Sequence, residues 1–502
     1  MNIAVKIKDM DNVAAAVRDI EKGEEVFEGV TAAEHIPQAH KIALCDLKEG
    51  DPVIRYGVVL GYAKYDISKG SWINEENLIQ AASPDLDSLT YGTNINNDLP
   101  EPPVKTWYGY KNEKGPAGTR NILGIVESVQ CVAGVVDLAI EKMKKELLPK
   151  YPNVDDITAV KHQYGCGVAI AAREAHVPIG MIRNLAHHPN FGGVIMAVGL
   201  GCEKLQFDQI YDPEEINDDN IIILQKKHGF DDMINSLMEM ADRKLAILNE
   251  RKREELPLSE LCIGLQCGGS DAFSGISANP SAGYAADMLV KGGATVMFSE
   301  TTEVRDGVQH IAARCLEEST KDKLVSEMKW YDQYLASQDV DRSANPTPGN
   351  HAGGLTNIVE KSMGSIAKSG SSPIVEVLSP GERPTECGMI FAATPANDFF
   401  CGTSQMASGA CLQVFMTGRG TPYGLAMIPV IKVCSRTDLK EMWGSLIDIN
   451  AGVIETGEAT VPEIGTELFN MIIDCASGRR KPAAEEYGIK NDICVFNPAP
   501  LT

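Results

Sequence analysis

Short apolar segments separated by charged turns make up the first part of the chain. The segments "IAVKI", "HKIALCDL" and "PVIRYGVVLGYAKYDI" are divided by "EKGEE", "KEGD" and "KGSW", so that glycine and charge recur every eight to twelve residues. This pattern is typical of short β-strands joined by tight turns. We therefore predict a small β domain over residues 1–90. Residues 91–106, which are rich in proline and asparagine, are predicted to form a linker.

From residue 107 onward, apolar segments alternate with amphipathic ones, as in α/β proteins. "RNILGIVESVQC" precedes the helix-like "AGVVDLAIEKMKKELLPKY", and "VDDITAVKHQYGCG" precedes "VAIAAREA", so residues 107–256 are predicted to form a first α/β domain. The apolar segments "LSELCIGLQC", "GATVMFSETTE", "CGMIFAATPAND" and "CLQVFMTGRGTP" predict a second α/β domain over residues 257–502. The polar segment at 337–357 is expected to be a functional loop, because long loops in compact enzymes commonly are.

Composition and net charge argue against several classes of protein. The net charge of −23 argues against a general nucleic-acid or anionic-membrane surface. No apolar run approaches the ~20 residues of a membrane span, and the N-terminus carries charges where a signal peptide needs an apolar core. The thirteen cysteines have neither a C-x-x-C pair nor a regular framework spacing. We therefore expect free thiols in a reducing cytoplasm.

Reactive or small residues follow several of the predicted strands. They are Cys131, Cys166, Cys202, Cys267, Glu300 with Glu303, Asn397 with Asp398, and Arg419. Because sites in α/β sheets form beyond the carboxyl ends of strands, this recurrence predicts an active site between two α/β blocks. Most free cysteines are core residues. Cys166 and Cys267, in glycine-bounded polar turns, are the two that we predict to bind metal or act in catalysis.

Two further pairs of residues are candidates for catalysis. His162 lies two residues before Tyr164 and four before Cys166, so His162 and Tyr164 are predicted to be catalytic. His40 and Lys41 lie together at the start of a strand in the β domain, and this pair could supply a proton-transfer group and a cation. The alternative is that His40 is an ordinary surface residue at a strand end.

Ten segments, in order, carry a resemblance to a known family. They are "EHIPQAHKIAL", "HQYGCGVAI", "HPNFGG", "VGLGCEKLQ", "QCGGSDAFSG", "MFSETTEVRD", "DRSANPTPGN", "VEVLSPGERPT", "TGRGTPYG" and "FNPAP". Together they resemble the altronate/galactarate dehydratase family over nearly the whole chain. The resemblance implies an N-terminal SAF-type β domain followed by two α/β blocks of a family-specific fold. It also implies a requirement for Fe2+ or another divalent metal, and the dehydration of an aldaric acid.

Within this family the sequence favours galactarate as substrate, with 5-dehydro-4-deoxy-D-glucarate as product in hexarate catabolism. Relatives that act on altronate tend to carry a His-rich turn where this chain reads "KGSWINEEN". We expect a strand-end cradle for substrate or metal, formed by Gly268, Gly269, Ser270 and Asp271. The cations expected to bind the two substrate carboxylates are Lys41, Arg183, Arg305 and Arg419.

Other readings of the same residues stay open. The chain could act on a related sugar acid such as altronate. It could also be an iron–sulfur hydro-lyase that holds a cluster on Cys131, Cys166 and Cys202, or a sugar-acid sensor without catalytic activity. We expect a small dicarboxylate sugar acid as ligand, no nucleic-acid or membrane partner, and a homodimer.

Overall fold

The N-terminal region of the computed structural model, which describes residues 3–501, consists of short antiparallel strands. The turn glycines Gly23, Gly50 and Gly70 have φ angles of 88°, 86° and 88°, a conformation that glycine adopts without strain. The predicted small β domain is confirmed. Its strands are Ala4–Val5, Val13–Ala16, Lys41–Ala43 and Trp72–Ile73 in one sheet, Pro52–Arg55, Val58–Ala63 and Leu78–Gln80 in a second, and Glu25–Phe27 with Val30–Thr31 in a hairpin.

The first parallel sheet lies between helices that cover both of its faces. Because both faces are buried, its strands are almost continuously apolar. Its strands, in spatial order, are Asp156–Val160, Ile122–Glu127, Met196–Gly199 and Ile221–Ile223. Helices Ala133–Glu146 and Phe230–Asn249 pack on one face, and helix His176–Ala186 packs on the other.

One helix of this region begins later than the sequence pattern suggests. The segment "VAIAAREA" was expected to be helical, but it forms turns, and the helix begins at His176. Gly165 and Gly167 precede that segment with φ angles of 117° and 62°. These conformations interrupt helix geometry and leave an irregular loop at the end of the strand.

The second parallel sheet is wider and contains the centre of the largest hydrophobic core. Its strands, in spatial order within the described residues, are Ile374–Leu378, Met389–Ala392, Thr295–Phe298, Cys262–Cys267, Leu412–Thr417, Val430–Cys434 and Ile449–Asn450. Its helices are Ala278–Lys291, Thr301–Val304, Val308–Ala312, Glu318–Ala336, Pro348–Ala352, Ile358–Ala367, Asp398–Ala407, Thr437–Met442, Val461–Ala476 and Ala483–Glu486. The predicted α/β fold class is therefore confirmed.

The segment between the β domain and the first parallel sheet runs along the second α/β region. The backbone N–H of Gly92 donates to the carbonyl of Cys315 at 3.1 Å, and that of Asn94 donates to Ala313 at 2.9 Å. Strand Thr106–Gly109 then pairs antiparallel with Glu254–Pro257. This pairing joins the two ends of the first α/β region, and it fixes where the chain enters and leaves that region.

Both parallel sheets share a topological feature that positions candidate sites. The chain starts with a central strand, adds a neighbour on one side, and then crosses to the other side. The central strands are Ile122–Glu127 and Cys262–Cys267. Ligands of open α/β sheets bind beyond the carboxyl ends of strands at such crossing points. Among residues 3–501, no helix is long and apolar enough to cross a membrane.

Candidate active site

A cleft with a volume of about 670 Å³ lies between the two α/β regions. Gln163 and Tyr164 line it from the first region, and Thr302 and Asn397 line it from the second. The C-terminal segment closes one side. Pockets for small ligands are commonly ~300–1,000 Å³. The cleft is therefore large enough for a six-carbon sugar acid.

Ionisable side chains neighbour, in the sequence, two residues that line this cleft: Thr302 lies between Glu300 and Glu303, and Asn397 precedes Asp398. Cys267 ends the central strand, and Glu300 and Glu303 follow strand Thr295–Phe298. The thiol and one oxygen of each carboxylate lie within 4.8 Å of one another, and all three residues are buried. Glu300 has a φ angle of 79°, which is uncommon for a residue other than glycine. Conformations of this kind are concentrated at functional sites.

Helix Ile358–Ala367 and the residue after it supply the positive charges of this cluster. Lys361, Ser365 and Lys368 lie on one helix face, because their spacing of four and three residues follows the helical repeat. The Lys361 ammonium group lies 2.7 Å from a carboxylate oxygen of Glu303. Lysine is seldom fully buried unless it is paired. The ion pair with Glu303 therefore accounts for the burial of Lys361.

Lys368 links the remaining groups of the cluster. Its ammonium group donates to Glu300 Oε2 at 3.0 Å, to Ser365 Oγ at 2.8 Å and to Cys267 Sγ at 3.3 Å. Lys361 and Lys368 therefore bring two ammonium groups against the carboxyl groups of Glu303 and Glu300 among buried side chains. We call Cys267, Glu300, Glu303, Lys361 and Lys368 the buried cluster.

Asp398 completes the wall beside the buried cluster. It begins helix Asp398–Ala407, and its Oδ1 accepts a hydrogen bond of 2.9 Å from Gln266 Nε2. A Cβ atom at Gly268 would lie 2.6 Å from both oxygens of the Asp398 carboxylate. Glycine at position 268 is therefore what allows this carboxylate to approach the end of the central strand.

The surroundings separate the pKa values of Glu300 and Asp398. Burial, with a further contribution from nearby Glu303 and against the opposing effect of Lys368, raises the pKa of Glu300 to about 8. Burial raises the pKa of Asp398 to about 6, although its hydrogen bond from Gln266 works against this. At neutral pH one carboxyl group is mostly protonated and the other mostly ionised. Such a pair can divide the roles of acid and base.

The buried cluster contains three side chains that could offer donor atoms to a divalent metal, Cys267, Glu300 and Glu303. Its thiol and carboxylates are suitable donors for a borderline metal. However, Lys368 already pairs with Glu300 at 3.0 Å and Lys361 with Glu303 at 2.7 Å. A divalent cation among these donors would face two buried ammonium groups. The buried cluster as it stands does not fit a metal, and its chemistry is that of proton transfer.

The turn after Cys267 contains the residues predicted to form a cradle. Gly269 has a φ angle of 60°, and the carbonyl of Ser270 accepts a 2.8 Å hydrogen bond from Asn350 Nδ2. The carboxylate of Asp271 accepts from the backbone N–H of Ser274 at 2.8 Å. Asp271 therefore holds the shape of the turn, while the glycine and Ser270 lie beside Cys267.

The three arginines predicted to bind substrate have different environments. Arg419 is exposed, and its guanidinium group has no hydrogen-bond or ion-pair partner within residues 3–501. Arg305 is buried and pairs with Asp332 at 2.9 Å, whereas exposed Arg183 pairs with Asp212 at 2.9 Å. Of these three, Arg419 has its charge available to a substrate carboxylate.

Lys41 lies in an ion cluster that joins the β domain to the second α/β region. Its ammonium group lies 2.8 Å from Glu360 Oε2, and both side chains are fully buried. Arg55 pairs with the same carboxylate. Burial alone would raise the pKa of Glu360, but Lys41 and Arg55 outweigh it and hold the pKa at about 2. Glu360 directly precedes Lys361, so the β domain supports the helix that carries the buried cluster.

The predicted histidines are neutral in their present surroundings. His40 Nδ1 accepts a 3.0 Å hydrogen bond from Trp72, and burial together with nearby Lys41 lowers its pKa. Burial lowers the pKa of His162 to about 4, and its ring nitrogens approach the carbonyls of Tyr164 and Glu127.

Tyr164, which follows His162 in the same loop, lines the cleft. Its hydroxyl group is buried and has no hydrogen-bond partner among the described residues. This hydroxyl group is therefore available to a bound molecule.

The two cysteines predicted to bind metal lie in different regions. Cys166 is exposed in the first region, and Cys267 is buried in the second, where it contacts Glu303, Ser365 and Lys368. The structure therefore does not show a metal site shared by these two thiols.

Several residues of the candidate site were not among the sequence predictions for it. Glu300, Glu303 and Asp398 were recognised as strand-end residues but were not assigned a role. Lys361 and Lys368 carried no motif, because "IVEKSMGSIAK" has the composition of an ordinary helix and its last residue. Their only signal is the spacing of polar residues along a helix that is otherwise apolar.

Comparisons with known proteins agree with this architecture. Galactarate dehydratase (L-threo-forming) of Escherichia coli (strain K12) is 52% identical, over 99% of this chain and 97% of its own length. Altronate dehydratase of Bacillus subtilis (strain 168) is 34% identical, over 95% of this chain and 96% of its own length. Altronate dehydratase of Escherichia coli (strain K12) is also 34% identical, over 98% of both chains.

Matches to family domains cover most of the chain. Residues 2–81 match the altronate/galactarate dehydratase SAF domain, and residues 109–249 match the second domain of D-galactarate dehydratase/altronate hydrolase. Residues 258–501 match the C-terminal domain of D-galactarate/altronate dehydratase. The order of these domains is that of the β domain and the two parallel sheets. The chain therefore belongs to the altronate/galactarate dehydratase family.

Proposed function

We propose that the protein is a hydro-lyase that removes water from galactarate and gives 5-dehydro-4-deoxy-D-glucarate. The observation that carries this proposal is the identity of 52% with a galactarate dehydratase over 99% of the chain. The two altronate dehydratases are 34% identical. The cleft, and the carboxyl groups that neighbour its lining residues in the sequence, support this proposal.

The reaction needs a base, an acid and stabilisation of negative charge. The proton next to a substrate carboxylate is weakly acidic, and in this proposal Asp398, ionised at neutral pH, accepts it. The bond to the neighbouring hydroxyl group then breaks, and protonated Glu300 gives its proton to form water. The resulting enol converts to the ketone. The ammonium groups of Lys361 and Lys368 favour the negative charge that develops on the enediolate.

The two ends of the substrate also need recognition. Galactarate carries a carboxylate at each end, and the unpaired guanidinium group of Arg419 suits one of them. The residue follows strand Leu412–Thr417, and a Cβ atom at Gly269 would lie 3.5 Å from its own Cβ atom. Arg419 is therefore beside the turn that follows Cys267.

The proposal includes a need for Fe2+ or another divalent metal, which the family resemblance supports. A bound metal would supply a Lewis acid for the enediolate. The free state of the cysteines within residues 3–501 supports a reducing cytoplasm as the compartment. A homodimer is also proposed, and light scattering of the purified protein measures it directly.

The substrate assignment is tested by comparing galactarate, glucarate and altronate at equal concentration. We expect kcat/KM for galactarate to exceed that for altronate by at least ~10-fold, because a buried polar site rejects a substrate that leaves its groups unpaired. Formation of the keto acid is measured over time. The variant Asp398→Asn, purified in the same way, reports any contaminating activity. A preference for altronate would contradict the substrate and leave the family unchanged.

A further inference from the structure

Two asparagines line the cleft from the second α/β region, and each has its amide oxygen already bound. Asn345 follows the short helical turn Arg342–Ala344, and Asn397 precedes helix Asp398–Ala407. Arg419 suits one carboxylate of galactarate, and the other carboxylate still needs a partner. The orientation of the two amide groups makes them candidates for that partner.

The amide oxygen of Asn345 is turned toward the buried cluster. Its Oδ1 accepts a hydrogen bond of 2.8 Å from the ammonium group of Lys361. An ammonium group can only donate, so the atom that it contacts is the oxygen of the amide and not the nitrogen. The backbone N–H of Asn345 donates to the carbonyl of Arg342 at 2.9 Å, which fixes the main chain at this position. The NH2 group of Asn345 is therefore the end of the amide that is left for a bound molecule.

Asn397 is oriented in the same way by the helix that follows it. Its Oδ1 accepts hydrogen bonds from the backbone N–H groups of Phe399 at 3.1 Å and Phe400 at 3.4 Å, so Asn397 is the N-cap of this helix. A backbone N–H can only donate, and the oxygen end of this amide is therefore fixed as well. Within residues 3–501, neither Asn345 nor Asn397 has a hydrogen-bond partner for its NH2 group.

The opposite wall of the cleft offers a hydrogen-bond acceptor. Gln163 of the first α/β region lines the cleft and donates from its NH2 group to the carbonyl of Val495 at 2.9 Å. Its amide oxygen has no partner among the described residues. A carboxylate can only accept, whereas a sugar hydroxyl group both donates and accepts. A substrate carboxylate therefore matches the wall with the two asparagines, and a substrate hydroxyl group matches Gln163.

Neutral donors suit a carboxylate at this place in the cleft. Lys361 is already positively charged and lies 2.8 Å from Asn345, so a further cation on this wall would be repelled by it. An amide N–H binds an anionic oxygen without adding a charge, and hydrogen bonds to charged groups are the stronger ones. The asparagines can therefore hold a carboxylate while Lys361 keeps its ion pair of 2.7 Å with Glu303.

We propose that the NH2 groups of Asn345 and Asn397 bind the substrate carboxylate next to the reacting carbon. The reacting end is indicated by their neighbours, because Asn345 contacts Lys361 and Asn397 directly precedes Asp398. Both asparagines bind substrate and transfer no proton. This inference rests on the proposed function, in which Lys361 stabilises the enediolate and Asp398 accepts the proton.

The test uses the variants Asn345→Asp and Asn397→Asp of the full-length protein. An aspartate keeps an oxygen for the contact with Lys361, and it is as good an N-cap as asparagine. It replaces the NH2 donor by an oxygen that repels a carboxylate. We expect KM for galactarate to rise at least ~10-fold in each variant, with a thermal unfolding midpoint no lower than that of the parent. Asn397→Ser, which keeps a capping oxygen and adds no charge, should also raise KM.

Asn217→Asp is the matched control. Asn217 is exposed in the first α/β region, does not line the cleft, and accepts a hydrogen bond of 3.1 Å at Oδ1 from the backbone N–H of Asp219. This variant should keep the KM of the parent. An unchanged KM in both cleft variants would overturn the inference, because a purely structural role of the two oxygens tolerates aspartate. An unchanged KM in Asn397→Ser would remove Asn397 from the binding site and assign the effect of Asn397→Asp to the added charge.

Failure of the proposed function gives a different result. If the parent dehydrates altronate or glucarate in place of galactarate, the variants are compared with that acid, because the reacting carboxylate is common to all three. If the parent turns over none of them, the Kd for galactarate, measured by calorimetry, replaces KM. Binding at least ~10-fold weaker in the cleft variants then supports the inference, and equal or tighter binding overturns it. A parent protein that does not bind galactarate would contradict both proposals.

Discussion

At the scale of single residues, Glu300 combines an unusual backbone conformation with an altered acidity. Its φ angle of 79° costs of order 1–3 kcal/mol for a residue other than glycine. The same residue is buried, and its pKa is raised to about 8. The surrounding contacts therefore hold a protonated carboxyl group in one position. Such an arrangement suits a group that must give up a proton at neutral pH.

We expect a bell-shaped dependence of kcat/KM for galactarate on pH, with limbs near 6 and 8. Activity rises through about 6 as Asp398, which faces Gln266, Glu303 and two lysines, ionises. Activity falls through about 8 as Glu300 loses its proton, in the field of Glu303, Lys368 and Asp398. Initial rates between about pH 5 and 9 measure both limbs.

Variants assign the two limbs of this profile. Asp398→Asn should lower kcat by ~10²-fold or more, the usual effect of losing an acid–base group. Glu300→Gln should also lower kcat and should remove the limb near 8. Asp208→Asn, at an exposed carboxylate, serves as the control and should leave the profile unchanged. A flat profile for the parent enzyme would show that these two groups do not carry the proton transfers.

At the scale of secondary-structure elements, the segment at 337–357 supports the turn after Cys267. It was expected to be a functional loop, and it contains the short helix Pro348–Ala352. Thr347 caps this helix, and Asn350 Oδ1 accepts a hydrogen bond of 2.9 Å from the backbone N–H of Thr347. Asn350 Nδ2 also donates to the carbonyl of Ser270 at 2.8 Å. One amide group therefore connects the segment to the site.

Replacing this residue by Asn350→Ala should lower kcat/KM by ~10–100-fold. Removing a buried hydrogen-bond partner costs about 1–3 kcal/mol and leaves the carbonyl of Ser270 unpaired. Steady-state kinetics and thermal unfolding, measured together, separate the effect on the site from the effect on stability. Gln338→Ala, in an exposed part of the same segment, should behave as the parent. Parent-like kinetics of Asn350→Ala would show that the segment does not position the turn.

The sequence predicts some of these elements better than others. Strands such as Cys262–Cys267 are recognisable because both faces of a parallel sheet are buried and the run is apolar. Helix Ile358–Ala367 was not assigned to the site, because Lys361 and Ser365 have the composition of a solvated helix face. Their burial depends on contacts with distant residues such as Glu303, 58 positions away by sequence number (361 − 303). The local sequence pattern does not show which distant residues a side chain will contact.

At the scale of the whole molecule, the β domain is tied to the second α/β region by a buried ion cluster. Lys41 and Arg55 both pair with Glu360, and Arg55 also donates to the carbonyl of Ala272 at 2.8 Å. Neither cation nor the carboxylate has appreciable contact with water. His40 and Lys41 of this domain were predicted to take part in catalysis, which stays a prediction; what the structure shows is that Lys41 holds the residue before Lys361.

The variant Glu360→Gln should destabilise the protein by about 3–5 kcal/mol, because it leaves two buried cations without a counter-charge. Urea unfolding monitored by the fluorescence of the four tryptophans, among them Trp72 of the β domain, and by circular dichroism measures the loss. Glu28→Gln, at an exposed carboxylate of the same domain, is the control and should change the free energy of unfolding by less than ~0.5 kcal/mol. An unchanged free energy of unfolding for Glu360→Gln would contradict this prediction. It would mean that water compensates the two buried cations in place of the carboxylate.

The ion cluster between the β domain and Glu360 also has a consequence for protein synthesis. Lys41 and Arg55 precede Glu360 by 319 and 305 residues in the chain. At ~5–20 residues per second, the ribosome adds their partner tens of seconds after it has added them. Throughout that interval both cations must remain hydrated on the surface of the nascent β domain. The domain can complete its own sheets early, but it docks only after more than two-thirds of the chain has been translated.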